Sequence, residues 1–117
     1  YKKTIMANAY KLHITTLAAA TTADCYTVPT ATVGIIKSIS VYNANSGTSA
    51  LTLSIYDSGS STAFIYDKHS LATTIKNEFL KGDDSTVLIL EEGDKIQMLS
   101  DVANPIVTIS VLQQDRN

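Results

Sequence analysis

Tryptophan is absent from this chain, cysteine occurs once, proline twice and histidine twice, and charged residues make up 17% of its 117 positions. Each scarcity closes off a class of function. With Cys25 as the single thiol no disulfide can form within the chain, so the fold must rest on burial and sheet pairing. Cys25 itself reads as a small hydrophobe inside a strand. His13 and His69 stand far apart and at no ligand-like spacing from Cys25, whereas a zinc site needs three or four ligands at tetrahedral distance. Nine basic residues are spread thinly against eleven acidic ones, for a formal charge of -2. That distribution leaves no electrostatic footprint for nucleic acid or anionic lipid. The longest apolar runs, Leu17 to Ala20 and Val87 to Leu90, are far shorter than the roughly 18 residues of a membrane span. No N-glycosylation sequon occurs, which with the lone cysteine fits folding in a reducing cytoplasm.

What is present is sheet chemistry. Thr, Ser, Ala, Val, Ile and Leu dominate, and the β-branched share exceeds what a helical bundle would favour. Leu90 to Leu99 is the clearest stretch. The apolar run Val87-Leu88-Ile89-Leu90 meets a turn at Glu91 to Asp94, with Gly93 free to take positive φ, and Ile96 and Met98 resume a period of two. The same cadence recurs. Tyr10, Leu12 and Ile14 alternate with Lys11, His13 and Thr15, which predicts a strand with one wet face and places His13 toward solvent. Asp24 to Val28 reads as a strand stopped at Pro29.

Val33 to Asn43 is the longest strand candidate, and its mixed parity at Ile35 and Ile36 points to burial on both faces or a bulge near Gly34, in the middle of a sheet. The polar turn Asn43 to Ser49 and the alternation of Leu51, Leu53 and Ile55 predict a hairpin with the preceding strand. A loop at Asp57 to Ser61, a strand at Thr62 to Tyr66, extended backbone from Lys68 to Lys81, a turn at Gly82 to Ser85, and strands at Thr86 to Leu90, Lys95 to Ser100 and Ile106 to Leu112 complete the pass. Eight or nine short strands predict an all-β fold, an antiparallel β-sandwich of jelly-roll-like type.

One domain is expected, over residues 10–112, with an N-terminal arm at 1–9 and a polar tail at 113–117. No apolar h-region follows Tyr1-Lys2-Lys3, so no signal peptide is expected. The chain opens on Tyr1 rather than Met, and Met6 reads as a natural start.

Chemistry is thin. Serines and threonines are so abundant that no nucleophile and base pairing stands out, and no enzyme activity or cofactor is expected. Asp83-Asp84 and Glu91-Glu92 with Asp94 are hard oxygen donors suited to calcium, but acids in solvated turns also keep sheet ends from pairing with foreign strands. Tyr10, Tyr26, Tyr42, Tyr56 and Tyr66 fall on successive strands and serve as rim filler, protein anchors or sugar-stacking platforms. A glycan reading would combine the 43–49 and 57–61 loops with Tyr42 and Tyr56. An aliphatic, lightly charged sandwich favours burial against copies of itself.

Three stretches carry a resemblance: Met6-Ala7-Asn8-Ala9-Tyr10-Lys11, Thr22 to Pro29 with its Tyr-Thr-Val-Pro end, and Ile36 to Asn43. Over Met6 to Leu112 the chain is similar to a group of small tailed-phage virion proteins. The resemblance implies a β-sandwich made in the bacterial cytoplasm and mounted on the virion as a homo-oligomer, expected to be a homotrimer. Head decoration, or cement, comes first, and a tail or fibre component second. Its partners would be itself and the major capsid or tail proteins, through an interface expected at Met6, Ala7, Asn8, Tyr10, Tyr42 and Tyr56.

Overall fold

The computed structural model describes residues 8–72, 74–81 and 87–115. These residues form nine strands and no helix: β1 (Asn8–Thr16), β2 (Ala23–Thr27), β3 (Thr32–Tyr42), β4 (Ser49–Asp57), β5 (Thr62–Leu71), β6 (Lys76–Leu80), β7 (Leu88–Leu90), β8 (Lys95–Ser100) and β9 (Ile106–Asp115). Two antiparallel sheets result. Sheet A runs β1-β9-β3, with β6 and β7 sharing the far side of β3, and sheet B runs β2-β8-β4-β5. The all-β sandwich expected from the strand cadence is therefore the fold. No helix of the described residues is long and apolar enough to cross a membrane.

Period-two alternation builds the core. Ile36, Ile39 and Val41 of β3, Leu51 and Leu53 of β4, Ile96 and Met98 of β8, and Val107, Ile109 and Val111 of β9 are all fully buried between the sheets. Cys25 is buried among them, at the point where β2 shifts register against β8. Gly34 lies under Tyr26: a Cβ there would meet the Tyr26 ring and hydroxyl at 3.0–3.1 Å. Glycine is needed for that close approach rather than for a bulge, since the register shift in β3 against β9 falls between Ile36 and Ser38. The Tyr26 hydroxyl accepts a hydrogen bond from Gln113 at 2.9 Å. Tyr26 is thus a core residue, where rim filler was expected.

The expected β3–β4 hairpin does not form, because β3 belongs to sheet A and β4 to sheet B. The polar stretch between them is a corner from one sheet to the other. Its centre is Asn43, fully buried, whose Nδ2 donates to the carbonyls of Gly47, Leu71 and Ala72, while its Oδ1 accepts from the Asn45 amide and the Ser49 hydroxyl. The turn at Glu91 to Asp94 is likewise a corner, from β7 in sheet A to β8 in sheet B. Gly93 takes φ +85°, as its place in the turn required, and a Cβ there would meet Ser58 at 3.0 Å. The amide of Gly93 donates to Val28, and the amide of Val28 donates to Asp94.

Asp94 locks this end of the sandwich. Its carboxylate accepts from the amides of Ser58 and Glu91 and from the Ser58 hydroxyl, at 2.9–3.0 Å. Burial opposes its charge, but the hydrogen bonds from Ser58 and Glu91 together outweigh that and hold the carboxyl below the ordinary aspartate range. The expected boundaries move outward at both ends: β1 starts at Asn8, inside the arm, and β9 runs through Asp115, so Gln113 to Asp115 are strand rather than tail.

Two outcomes follow from the two corners. Asn43→Ala strands three carbonyls and one amide, and should lower unfolding free energy by about 2–4 kcal/mol in urea titrations. A depressed carboxyl stabilises the fold fully above the unfolded value of about 4 and loses that contribution as pH falls through the folded value. Asp94→Asn should therefore be less stable than the parent at pH 6, and the gap should narrow below about pH 4 when urea midpoints are compared.

Candidate interaction surface

Register decides which side of each strand faces water. In β9 the fully buried Val107, Ile109 and Val111 pair with Thr15, His13 and Lys11 of β1, so these three side chains lie on the inner side. Tyr10, Leu12 and Ile14 pair with Leu112, Ser110 and Thr108 and face outward. This inverts the expected polarity of the strand. His13 is half-buried, its ring 4.8 Å from that of Tyr26, while Tyr10 is 79% exposed. The apolar side of β1 is its wet side.

The inversion continues across the sheet. Leu112 of β9 pairs with Ile35 of β3, and Ile35 pairs with Ile89 of β7, which is 65% exposed. Tyr10, Leu112, Ile35 and Ile89 thus form one cross-strand row of large apolar side chains on the outside of sheet A. Leu12 and Ile14 extend it along β1. Beside it the surface is flat and hydroxyl-rich, with Ser38, Ser40, Thr108 and Ser110 on the same side. A shallow cavity of about 350 Å³ opens here, lined by Tyr10, Lys11, Leu12, Lys37, Ser110 and Val111. Mixed parity at Ile35 and Ile36 records this arrangement: Ile36 is in the core and Ile35 on the outer face.

Sheet B presents a different exterior. Asp24 accepts from Gln97 at 2.8 Å and pairs with Lys95 at 3.1 Å, and those partners hold its carboxyl below the ordinary range. The Lys95 ammonium also lies 5.2 Å from the centre of the Tyr56 ring. The β5 edge breaks the polarity, with Phe64, Ile65 and Tyr66 all exposed.

The residues expected at an interface are partly brought together. Asn8, Tyr10 and Tyr42 lie on the outer side of sheet A, as their cross-strand partners Gln114, Leu112 and Ile106 place them. Tyr56 belongs to sheet B, and Met6 and Ala7 lie outside the described residues. The loops of the glycan reading sit at opposite ends of β4, with Tyr42 and Tyr56 on different sheets, so they do not compose one site. Of the acids weighed for calcium, Asp83 and Asp84 lie outside the described residues, and Asp94 is taken up by Ser58 and Glu91. No group of three or more His, Cys, Asp or Glu among the described residues is placed to hold a metal ion. Sequence reasoning missed Leu12, Ile14, Ile35, Ile89 and Phe64, because an apolar side chain at alternate positions reads as core.

No family model and no curated protein matches the sequence. Among solved structures, the chain is similar to one from Bacillus endospore appendages, described as a novel family of disulfide-linked pili. The TM-score is 0.58 at 14% identity, covering 98% of this chain and 91% of that one. A likeness at that identity is a likeness of fold.

Cys25 bears on the comparison. It is 4% exposed, and burial pushes its thiol up to about 11. A thiol in that state is a poor nucleophile and out of reach of a partner. In the native protein Cys25 should resist an aromatic disulfide reagent for hours and react stoichiometrically once unfolded in urea; prompt native labelling would contradict the burial.

Proposed function

We propose that this chain is a non-enzymatic structural protein of a tailed-phage virion, a head decoration or cement subunit that acts as a homo-oligomer, a trimer, bound to capsid proteins. The observation that carries the reading is the apolar row on the outer side of sheet A. A sandwich of this size leaves such a face bare only at the expense of solubility, unless a protein neighbour covers it. The resemblance at Met6 to Lys11, Thr22 to Pro29 and Ile36 to Asn43 supports the phage setting and its assembly from protein made in the bacterial cytoplasm. The pilus protein of similar fold supports the use of this architecture as a repeated building block. Contacts here would be non-covalent, because the one cysteine is buried. A copy bridging neighbouring shell subunits adds buried area at each contact and opposes the outward pressure of packaged DNA. Tail placement is the second form of the same reading.

Co-sedimentation tests it. Purified chain mixed with phage heads lacking their decoration should bind to saturation at a fixed ratio per capsid subunit and raise the temperature at which the heads rupture. Binding to tails alone would move the assignment to the tail. A monomer that binds neither, or a chain that turns over a substrate, would overturn it.

A further inference from the structure

β1 differs from every other described strand in what it gives to the core. Each of the others supplies at least one buried hydrophobic side chain, down to Leu71 of β5 and Leu90 of β7, whereas none of the residues Asn8–Thr16 does. Its ladder holds it in place. β1 is an edge strand of sheet A and pairs with β9 alone, from Asn8 with Gln114 to Thr16 with Ile106. It turns Lys11, His13 and Thr15 inward, and the His13 Nε2 is shut off from water with no hydrogen-bond partner. Its large apolar side chains face out. A backbone ladder forms equally well whichever chain supplies the strand.

The connection from β1 to β2 carries strain. Leu17 at its start is buried, its amide donating to the carbonyl of Pro105 and its carbonyl accepting from the amide of Asn104. Ala18 to Thr22 then crosses from sheet A to sheet B, and Ala20 takes φ +51°, a left-handed backbone that a residue with a Cβ adopts at a cost. The bond from the Ala20 amide to the carbonyl of Ser100, at 2.8 Å, holds it there. Straightened, these residues would span roughly 17 Å and release the strain. Short strained hinges favour strand exchange.

We propose that β1 is exchanged between copies of this chain: residues 8–17 of one copy complete sheet A of the next by pairing with its β9. The inference rests on the oligomeric reading above and names the element that joins the copies. Leu17 enters the neighbour's core and remakes there its bonds to Asn104 and Pro105. Little is lost in the transfer, because the exchanged unit brings the same ladder and one buried hydrophobic side chain, Leu17, whichever chain it comes from. Domain swapping is a low-cost route to an oligomer for this reason. Passed on in one direction, the strand closes a ring of three in which every β9 receives one β1. Tyr10, Leu12 and Ile14 then lie at the seam between two copies.

A cross-link between β1 and β9 decides whose strand is paired. Leu12 and Ser110 are direct cross-strand partners on the outer side of sheet A, and such partners stand about 5 Å apart, within disulfide reach. A chain carrying Leu12→Cys and Ser110→Cys is purified reduced, checked against the parent by urea midpoint, oxidised, and run denatured without reductant. Cys25 is buried and stays out of the reaction. Exchange predicts a band at about three chain masses that collapses to one on reduction. Tyr10→Cys with Leu112→Cys repeats the measurement one step along the ladder should the first pair disturb folding. A fast-running single chain closed by its own disulfide, or cysteines left free, would overturn the exchange. If that self-closed chain still assembles or binds phage heads, the copies meet by another surface and the virion reading stands. A parent that is monomeric by light scattering would also overturn the exchange, and capsid binding by that monomer would leave the virion reading intact.

Discussion

The structure depends on a simple geometric constraint: two antiparallel sheets share one core, and each strand can send only alternate side chains into it. Val107, Ile109 and Val111 commit the inner side of β9. Pairing then commits every neighbouring strand, and whatever lies on the other parity must face outward. In β1 that parity carries Tyr10, Leu12 and Ile14, and in β3 and β7 it carries Ile35 and Ile89. The apolar exterior is thus a consequence of register rather than an accident of single side chains. Shifting β1 by one residue would bury its apolar set, but would turn Lys11, His13 and Thr15 outward and cost the packing of His13 on Tyr26.

Both ends of the sandwich are closed by polar side chains that act as backbone substitutes. Asn43 at one end and Asp94 at the other collect carbonyl and amide groups that no strand can satisfy at a corner. A jelly-roll-like path needs such devices more than a meander does, because most of its connections cross between sheets. Asn45 adds a further tie at the Asn43 end, donating to the carbonyl of Ala103 at 2.6 Å.

Strand positions were legible in the residues because alternation and turn chemistry are local signals. The Gly93 turn and the buried Cys25 were legible for the same reason. Partner choice was not: Asn43 to Ser49 has the composition of a hairpin turn, and nothing local distinguishes a hairpin from a corner. Ala20, Ala31, Ser61, Thr74 and Asn104 take positive φ without glycine, so that conformation left no sign in the sequence even where a loop was expected, as at Asp57 to Ser61. The apolar outer face was hidden by the same logic that found the strands. Apolar alternation names one side of a strand but does not say which side the core occupies; β1 read correctly as a strand and was turned the wrong way. Tyr10 and Tyr42 were expected on a surface and do face outward, whereas the outward turn of their aliphatic neighbours was not foreseen, since tyrosine is conspicuous on a surface and leucine is assumed to be inside it.

The structure has an exterior of two unlike halves, and the proposed function requires that protein cover the outer face of sheet A while the Tyr56 side of sheet B stays open to water. Hydroxyl-radical footprinting over a range of protein concentrations reads it directly, because Tyr10 and Tyr56 report the two faces with the same chemistry. Oxidation of Tyr10 should fall as concentration rises while that of Tyr56 holds constant. Equal oxidation of both at every concentration, on the free chain and on the particle alike, would contradict the account.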